Sequence, residues 1–105
     1  MRIIETTIFT RRLKSLLGDE NYRNLQNQLV DHPNSRQIIR GRGGIRKYRW
    51  LWSGRGKSDG VRIIYYLIKS EETILMLLIY AKKEQDDLTP EQLRFLKNVV
   101  ESEFK

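Results

Sequence analysis

The chain contains no cysteine, which removes disulfides, thiolate metal sites and cysteine nucleophiles from its possible chemistry. Its one histidine, His32 in "DHPN", stands at the end of a helix-like segment and is expected to sit on the surface there. One His and no Cys leave no basis for a zinc site or a Cys/His catalytic pair, so neither metal nor cofactor is expected. Long apolar runs are also missing. The longest, "TILMLLIYA" (residues 73–81), is less than half of the roughly 20 residues that a membrane-spanning helix needs. The start, "MRIIETTIFTRR", lacks the apolar core of a signal peptide. The expectation is a cytoplasmic protein without a membrane partner. At 105 residues it should be a single domain over residues 1–105, since halves would be too small for a stable core.

Negative charge is scarce in one place. Between residues 36 and 69 there are ten Lys/Arg and one acidic residue, Asp59, whereas the other 71 residues hold ten basic and twelve acidic side chains. The formal charge of +7 is therefore local, and a local basic block attracts polyanions. Nucleic acid leads the candidate partners, followed by an acidic protein. A membrane surface comes third, because no strongly basic amphipathic helix is present. The core of the block is "IRGRGGIRKYRW" (residues 39–50).

Hydrophobic periodicity supplies the elements. "RIIE" is a short strand, and Thr6 or Thr7 can cap a helix whose face is Phe9, Leu13, Leu16 and Leu17, with Gly18 as its stop. Asp19 can cap a second helix with Tyr22, Leu25 and Leu29 inward, and Pro33 ends it. The two read as a helical hairpin. A possible extended piece at Ile38–Ile39 precedes three strand-like runs at 45–52, 61–69 and 73–81, with the loop "SGRGKSDG" and the tight turn "SEE" between them. Such short connections imply antiparallel neighbours. The third run is apolar on both faces and should be covered on both sides. In "LTPEQ", Thr89 is an N-cap, Pro90 takes the first helical position and Gln92 closes a capping box. Leu93, Leu96 and Val100 form the last helix's stripe, broadened by Phe95, Val99 and Phe104. The class is α+β, in the order β-α-α-β-β-β-α.

Alternation along residues 45–52 puts Ile45, Lys47, Arg49 and Leu51 on one face and Arg46, Tyr48, Trp50 and Trp52 on the other. The aromatic row suits a core against the helices better than a base-stacking platform. Lys47 and Arg49 then project together. Arg62 opens the next strand, and Lys82 and Lys83 follow the third, so several cations would converge at one end of the sheet. Like charges repel, and such clustering is tolerable where an anion binds.

Other motifs fail on inspection. "GRGKS" would need glycine at position 51 to be a phosphate-binding loop, but Leu51 stands there and no helix follows. "GRGG" precedes a strand, not the helix a dinucleotide fingerprint requires. Asp86 and Asp87 could bind a divalent ion or simply precede a helix N-terminus. The residues do permit metal-free RNA cleavage, in which a 2′-hydroxyl attacks its own 3′-phosphate. Arginines would hold the phosphorane and a lysine among cations would move protons. On spacing alone, simple nucleic-acid binding is the favoured reading over catalysis.

The order of elements, with "GRGGIRKYRW", "GVRIIYYL" and "LLIYAKKEQDDLTPEQ", resembles the RelE/ParE superfamily of bacterial type II toxins, in particular its HigB-like branch. The resemblance spans nearly the whole chain. It implies a small RelE-like fold, an antiparallel sheet with an N-terminal helical hairpin and a C-terminal helix. It further implies a ribosome-dependent endoribonuclease (an mRNA interferase) that cuts mRNA in the ribosomal A site, neutralised by a cognate helix-turn-helix, HigA-like antitoxin. Lys47, Arg49, Arg62, Lys82 and Lys83 match the family's catalytic cations, although arginine is common where Lys83 stands. Arg40, Arg42 and Arg46, with Arg55 and Lys57 of "GRGK", are the candidates for contact with ribosomal RNA. Some relatives carry a tyrosine near the start of the last helix. Here that region reads "DDLTPEQ" and has none, and Tyr80 is the nearest tyrosine in the chain. The expected roles are proton movement by Lys47 or Lys82 and phosphate binding by Arg49 and Arg62. The resemblance leaves two alternatives, a ParE-like gyrase poison and a non-catalytic RNA-binding module.

Overall fold

A computed structural model describes residues 1–33, 37–38, 43–50 and 60–104. Strand β1 (Arg2–Glu5) is followed by helices α1 (Thr7–Leu16) and α2 (Asp19–Asp31), then strands β2 (Gln37–Ile38), β3 (Ile45–Trp50), β4 (Val61–Ile68) and β5 (Thr73–Ala81), and helix α3 (Pro90–Phe104). The five strands form one sheet in the order β1-β5-β4-β3-β2. The α+β class is as expected, and the order differs from the expected one by the short strand β2, which includes Ile38 of the extended piece expected at Ile38–Ile39. Strands β2 to β5 are antiparallel neighbours, but β1 joins β5 in parallel, Arg2 opposite Thr73 and Glu5 opposite Met76, so the sheet is mixed. Two helices separate β1 from the rest of the sheet, and that long connection frees it to lie in either direction.

Apolar side chains on both sides of β5 make the fold three-layered. All nine of its residues are buried, as a run without alternation predicts. On one side Ile74, Met76 and Ile79 meet Phe9, Leu17, Leu25 and Leu29 from α1 and α2, with Tyr48 and Trp50 completing that core. On the other, Leu75, Leu78 and Tyr80 meet Leu88, Leu96 and Val100 around α3.

Helix ends follow local chemistry. Thr6 caps α1 by accepting the Phe9 N–H at 3.1 Å. Thr89 and Gln92 close the expected box, each side chain accepting the other's backbone N–H at 3.0 Å. Gly18 differs from expectation. Helix α1 stops because Leu17 turns extended to enter the core, and Gly18 (φ −79°) is instead the N-cap of α2, with Asp19 already its first helical residue. Phe95 does not broaden the α3 stripe but is 56% exposed. At 100° per residue it lies roughly 130° round the helix from the centre of Leu93, Leu96 and Val100. Phe104's side chain, with Ile39, Leu51, Trp52 and the "SGRGKSD" segment, lies outside what is described.

One irregularity in β5 decides what the sheet presents. Its register with β4 passes from Ile64–Leu78 to Tyr65–Met76, leaving Leu77 as an extra residue. Such a bulge reverses the facing of everything beyond it. Ile74 and Met76 face the helical hairpin, whereas Leu78 and Tyr80 turn to the α3 side.

Candidate phosphate-binding site

Tyr48 and Trp50 point into the hairpin core, their rings 6.2 Å apart edge to face, and the Tyr48 hydroxyl donates to Gln28 Oε1 at 2.5 Å. Tyr48 and Trp50 of the aromatic row thus belong to the core, as their spacing suggested, and β3 is anchored from behind. Lys47 and Arg49 alternate to the α3 face. Arg49 stands directly opposite Arg62 on β4, and Arg62 stands directly opposite Tyr80 on β5. Three strands therefore set Arg49, Arg62 and Tyr80 in one row, and Lys47 is two residues along from Arg49. Like charges directly opposite in a ladder are destabilising, which makes the row costly as mere surface decoration.

The members of this row differ in exposure. Arg49 is exposed, while Arg62 is 5% and Tyr80 1% exposed. The Tyr80 hydroxyl is buried and has no hydrogen-bond partner among the described residues. Burial first, and then the Asp87 charge, push its pKa up to about 12 against the pull of Arg62. At neutral pH it is a phenol able to donate, not a phenolate.

The turn after β5 adds the remaining cations. Gly60 supplies the left-handed residue (φ 58°) before β4, and its carbonyl accepts the Lys82 N–H at 3.2 Å, tying the turn to the head of β4. Lys82 Nζ pairs with Asp86 at 3.0 Å and Lys47 Nζ with Asp87 at 3.4 Å, while Lys83 is exposed. Asp87 Oδ1 also accepts the Leu88 N–H at 2.8 Å. These carboxylates serve the local cations and the approach to α3. Among the described residues no cluster of three or more His, Cys, Asp or Glu could hold a metal ion.

Of the expected catalytic set, the structure brings Lys47, Arg49 and Arg62 to one face and places Lys82 and Lys83 in the turn beside it. Arg46 lies apart from this set. It is buried at 9% and lines a separate cleft of about 380 Å³ with Gly43, Gly44, Tyr66 and Lys69. Gly44 is needed there, because at φ 89° a Cβ would approach the Tyr66 ring to 3.3 Å. Arg40, Arg42, Arg55 and Lys57 lie outside the described residues. His32 ends α2 on the surface, as read from its sequence context. Sequence reasoning missed the Lys47–Asp87 pair, which joins residues 40 apart, and the aim of Tyr80, which depends on the Leu77 bulge.

No family model matches the chain. Solved structures do. An arginine-to-alanine double mutant of E. coli toxin RelE in the free state is 16% identical with a TM-score of 0.59, over 81% of this chain and 86% of that one. The isolated E. coli RelE toxin is 15% identical with a TM-score of 0.56, over 93% and 97%. A chain of the intact E. coli RelBE toxin-antitoxin complex is also similar, at 18% identity and a TM-score of 0.53, over 74% and 92%. The chain has a RelE-like fold. Among the described residues no helix is long and apolar enough to cross a membrane.

Proposed function

We propose that this chain is the toxin of a bacterial type II toxin-antitoxin system, of the HigB-like kind, and that it acts as a ribosome-dependent mRNA endoribonuclease. The observation that carries the proposal is the row of Arg49, Arg62 and Tyr80 across three strands, with Lys47 on the same face, in a fold similar to that of RelE. In this reading Arg49 and Arg62 hold the scissile phosphate and stabilise the phosphorane, and Lys47 or Lys82 moves protons between the 2′-hydroxyl and the leaving 5′-oxygen. Lys83 adds positive potential at the mouth. A DNA backbone has no 2′-hydroxyl and would not be cut. RelE has been solved with its antitoxin RelB, and a cognate antitoxin, here of the helix-turn-helix, HigA-like type, is the proposed protein partner. The working location is the cytoplasm, on mRNA in the ribosomal A site and against ribosomal RNA.

Primer extension on a reporter mRNA after induction tests this. New 5′ ends are expected on translated mRNA, and few on the same RNA without ribosomes. Growth arrest with intact mRNA and blocked supercoiling would favour a gyrase poison instead. Bound RNA without cleavage or arrest would leave only a binding module.

The acidic pair offers a second check. Exposed ion pairs contribute about 0.2–1 kcal/mol, so a phosphate can displace Asp87 from Lys47 at little cost. Asp87→Asn removes that competitor. It should tighten binding of a short single-stranded RNA by about three- to fivefold at low salt, with less gain at high salt. Fluorescence anisotropy reads the change, and weaker binding would take Lys47 out of the phosphate site.

A further inference from the structure

Strand β1 covers the outer edge of β5 only as far as Met76, yet β5 continues for five residues to Ala81. Its backbone groups on that edge need partners, because buried polar backbone left unpaired is costly. Side chains supply them at every second residue. Thr6 Oγ1 donates to the Leu77 carbonyl at 2.9 Å, Arg12 Nε donates to the Ile79 carbonyl at 2.8 Å, and Glu84 Oε1 accepts the Ala81 N–H at 2.8 Å. The last two are one unit, since Arg12 Nη2 also donates to Glu84 Oε1 at 2.5 Å. The Glu84 N–H in turn donates to the Ala81 carbonyl at 3.1 Å.

Lys82 and Lys83 are the two residues inside the ring that Glu84 closes on Ala81. The sheet ladder has ended there, and among the described residues only the Lys82–Gly60 bond holds the turn from the β4 side. We propose that Arg12 is a positioning residue for the phosphate site, acting through Glu84 to fix the turn that presents Lys82 and Lys83. The inference rests on the functional reading above and deepens it. Helix α1 packs on the face of β5 opposite α3, so its Arg12 reaches the turn from behind and touches none of the reacting atoms. Glu84 stays charged to do this. The Ala81 N–H first, and Arg12 second, hold its carboxyl below the usual range.

Small misplacements of catalytic groups are expensive in rate. Arg12→Ala should therefore lower the single-turnover cleavage rate on programmed ribosomes by about 10- to 100-fold per folded molecule, with ribosome affinity changed less than twofold. Arg12→Lys, which keeps charge but cannot fork to Ile79 and Glu84 together, should recover only part of the loss. In parallel, amide hydrogen exchange of Arg12→Ala should show faster exchange at Ala81, by tenfold or more, with Ile63 and Ile64 unchanged. Unaltered exchange at Ala81 overturns the clamp whatever the activity. A cleavage rate within twofold of wild type, while Arg62→Ala abolishes cleavage, overturns the positioning role and leaves the nuclease reading intact. Absence of cleavage in the wild-type protein sinks the nuclease reading, and the positioning role with it, even where the exchange result shows that the clamp exists.

Discussion

Arg62→Ala is expected to abolish growth inhibition and to cut mRNA cleavage by about 10²–10³-fold, the range for losing one preorganised donor to a developing oxyanion. The reason is position more than charge alone. Arg62 is 5% exposed on β4, the middle strand of the sheet, and it faces Arg49 on one side and Tyr80 on the other. A guanidinium so enclosed acts through a lower dielectric than Lys83 in the exposed turn. Its planar fork also matches two phosphate oxygens at once, so Arg62→Lys should restore well under a tenth of the lost rate. Thermal melting of each variant separates chemistry from folding. If folded Arg62→Ala protein cleaves within threefold of wild type, Arg62 does not hold the phosphate and the nuclease reading fails. Persistent toxicity without cleavage would direct attention to gyrase.

Much of this arrangement is legible locally. The Thr89–Gln92 box spans four residues and its chemistry closes on itself, so its sequence suffices. Alternation in "IRKYRW" separates Tyr48 and Trp50 from Lys47 and Arg49, although Ile45 shares the face of the two cations and Arg46 that of the aromatics. Signals fade where structure depends on distant partners or on a break in period. "TILMLLIYA" is apolar throughout, so nothing in it marks the Leu77 bulge or the side to which Tyr80 turns. The parallel seat of β1 pairs residues 71 apart, and Arg12 meets Glu84 across 72. Phe95 shows the opposite error. An apolar residue near a stripe reads as core, but a helix face is set by angle and Phe95 falls outside it.

Phe9→Ala should cost about 3–5 kcal/mol of stability. Phe9 is completely buried where α1 crosses β5, among Leu25, Leu29, Ile74 and Met76. The cost falls near the upper end if the surroundings cannot close over the void, and several contacts keep them in place. The Phe9 N–H is held by Thr6, whose hydroxyl is itself bonded to Leu77. The neighbouring Tyr22 ring, 6.0 Å away, is fixed by its hydrogen bond to Glu5 at 2.5 Å. A domain of this size has about 5–15 kcal/mol to lose in total. At roughly 4 °C or more per kcal/mol, the melting temperature should drop by about 15 °C. Phe95→Ala, at an exposed site on α3, should stay within about 0.5 kcal/mol of wild type and serves as the matched control. A loss below about 1 kcal/mol at Phe9 would mean that α1 is not seated on β5 as described. The consequence reaches the site, because Arg12 lies one turn beyond Phe9 on the same helix. Phe9→Leu, which refills most of the void, should therefore preserve more of both the melting temperature and the cleavage rate than Phe9→Ala. Urea titration alongside the ribosome assay would show whether the two recover together.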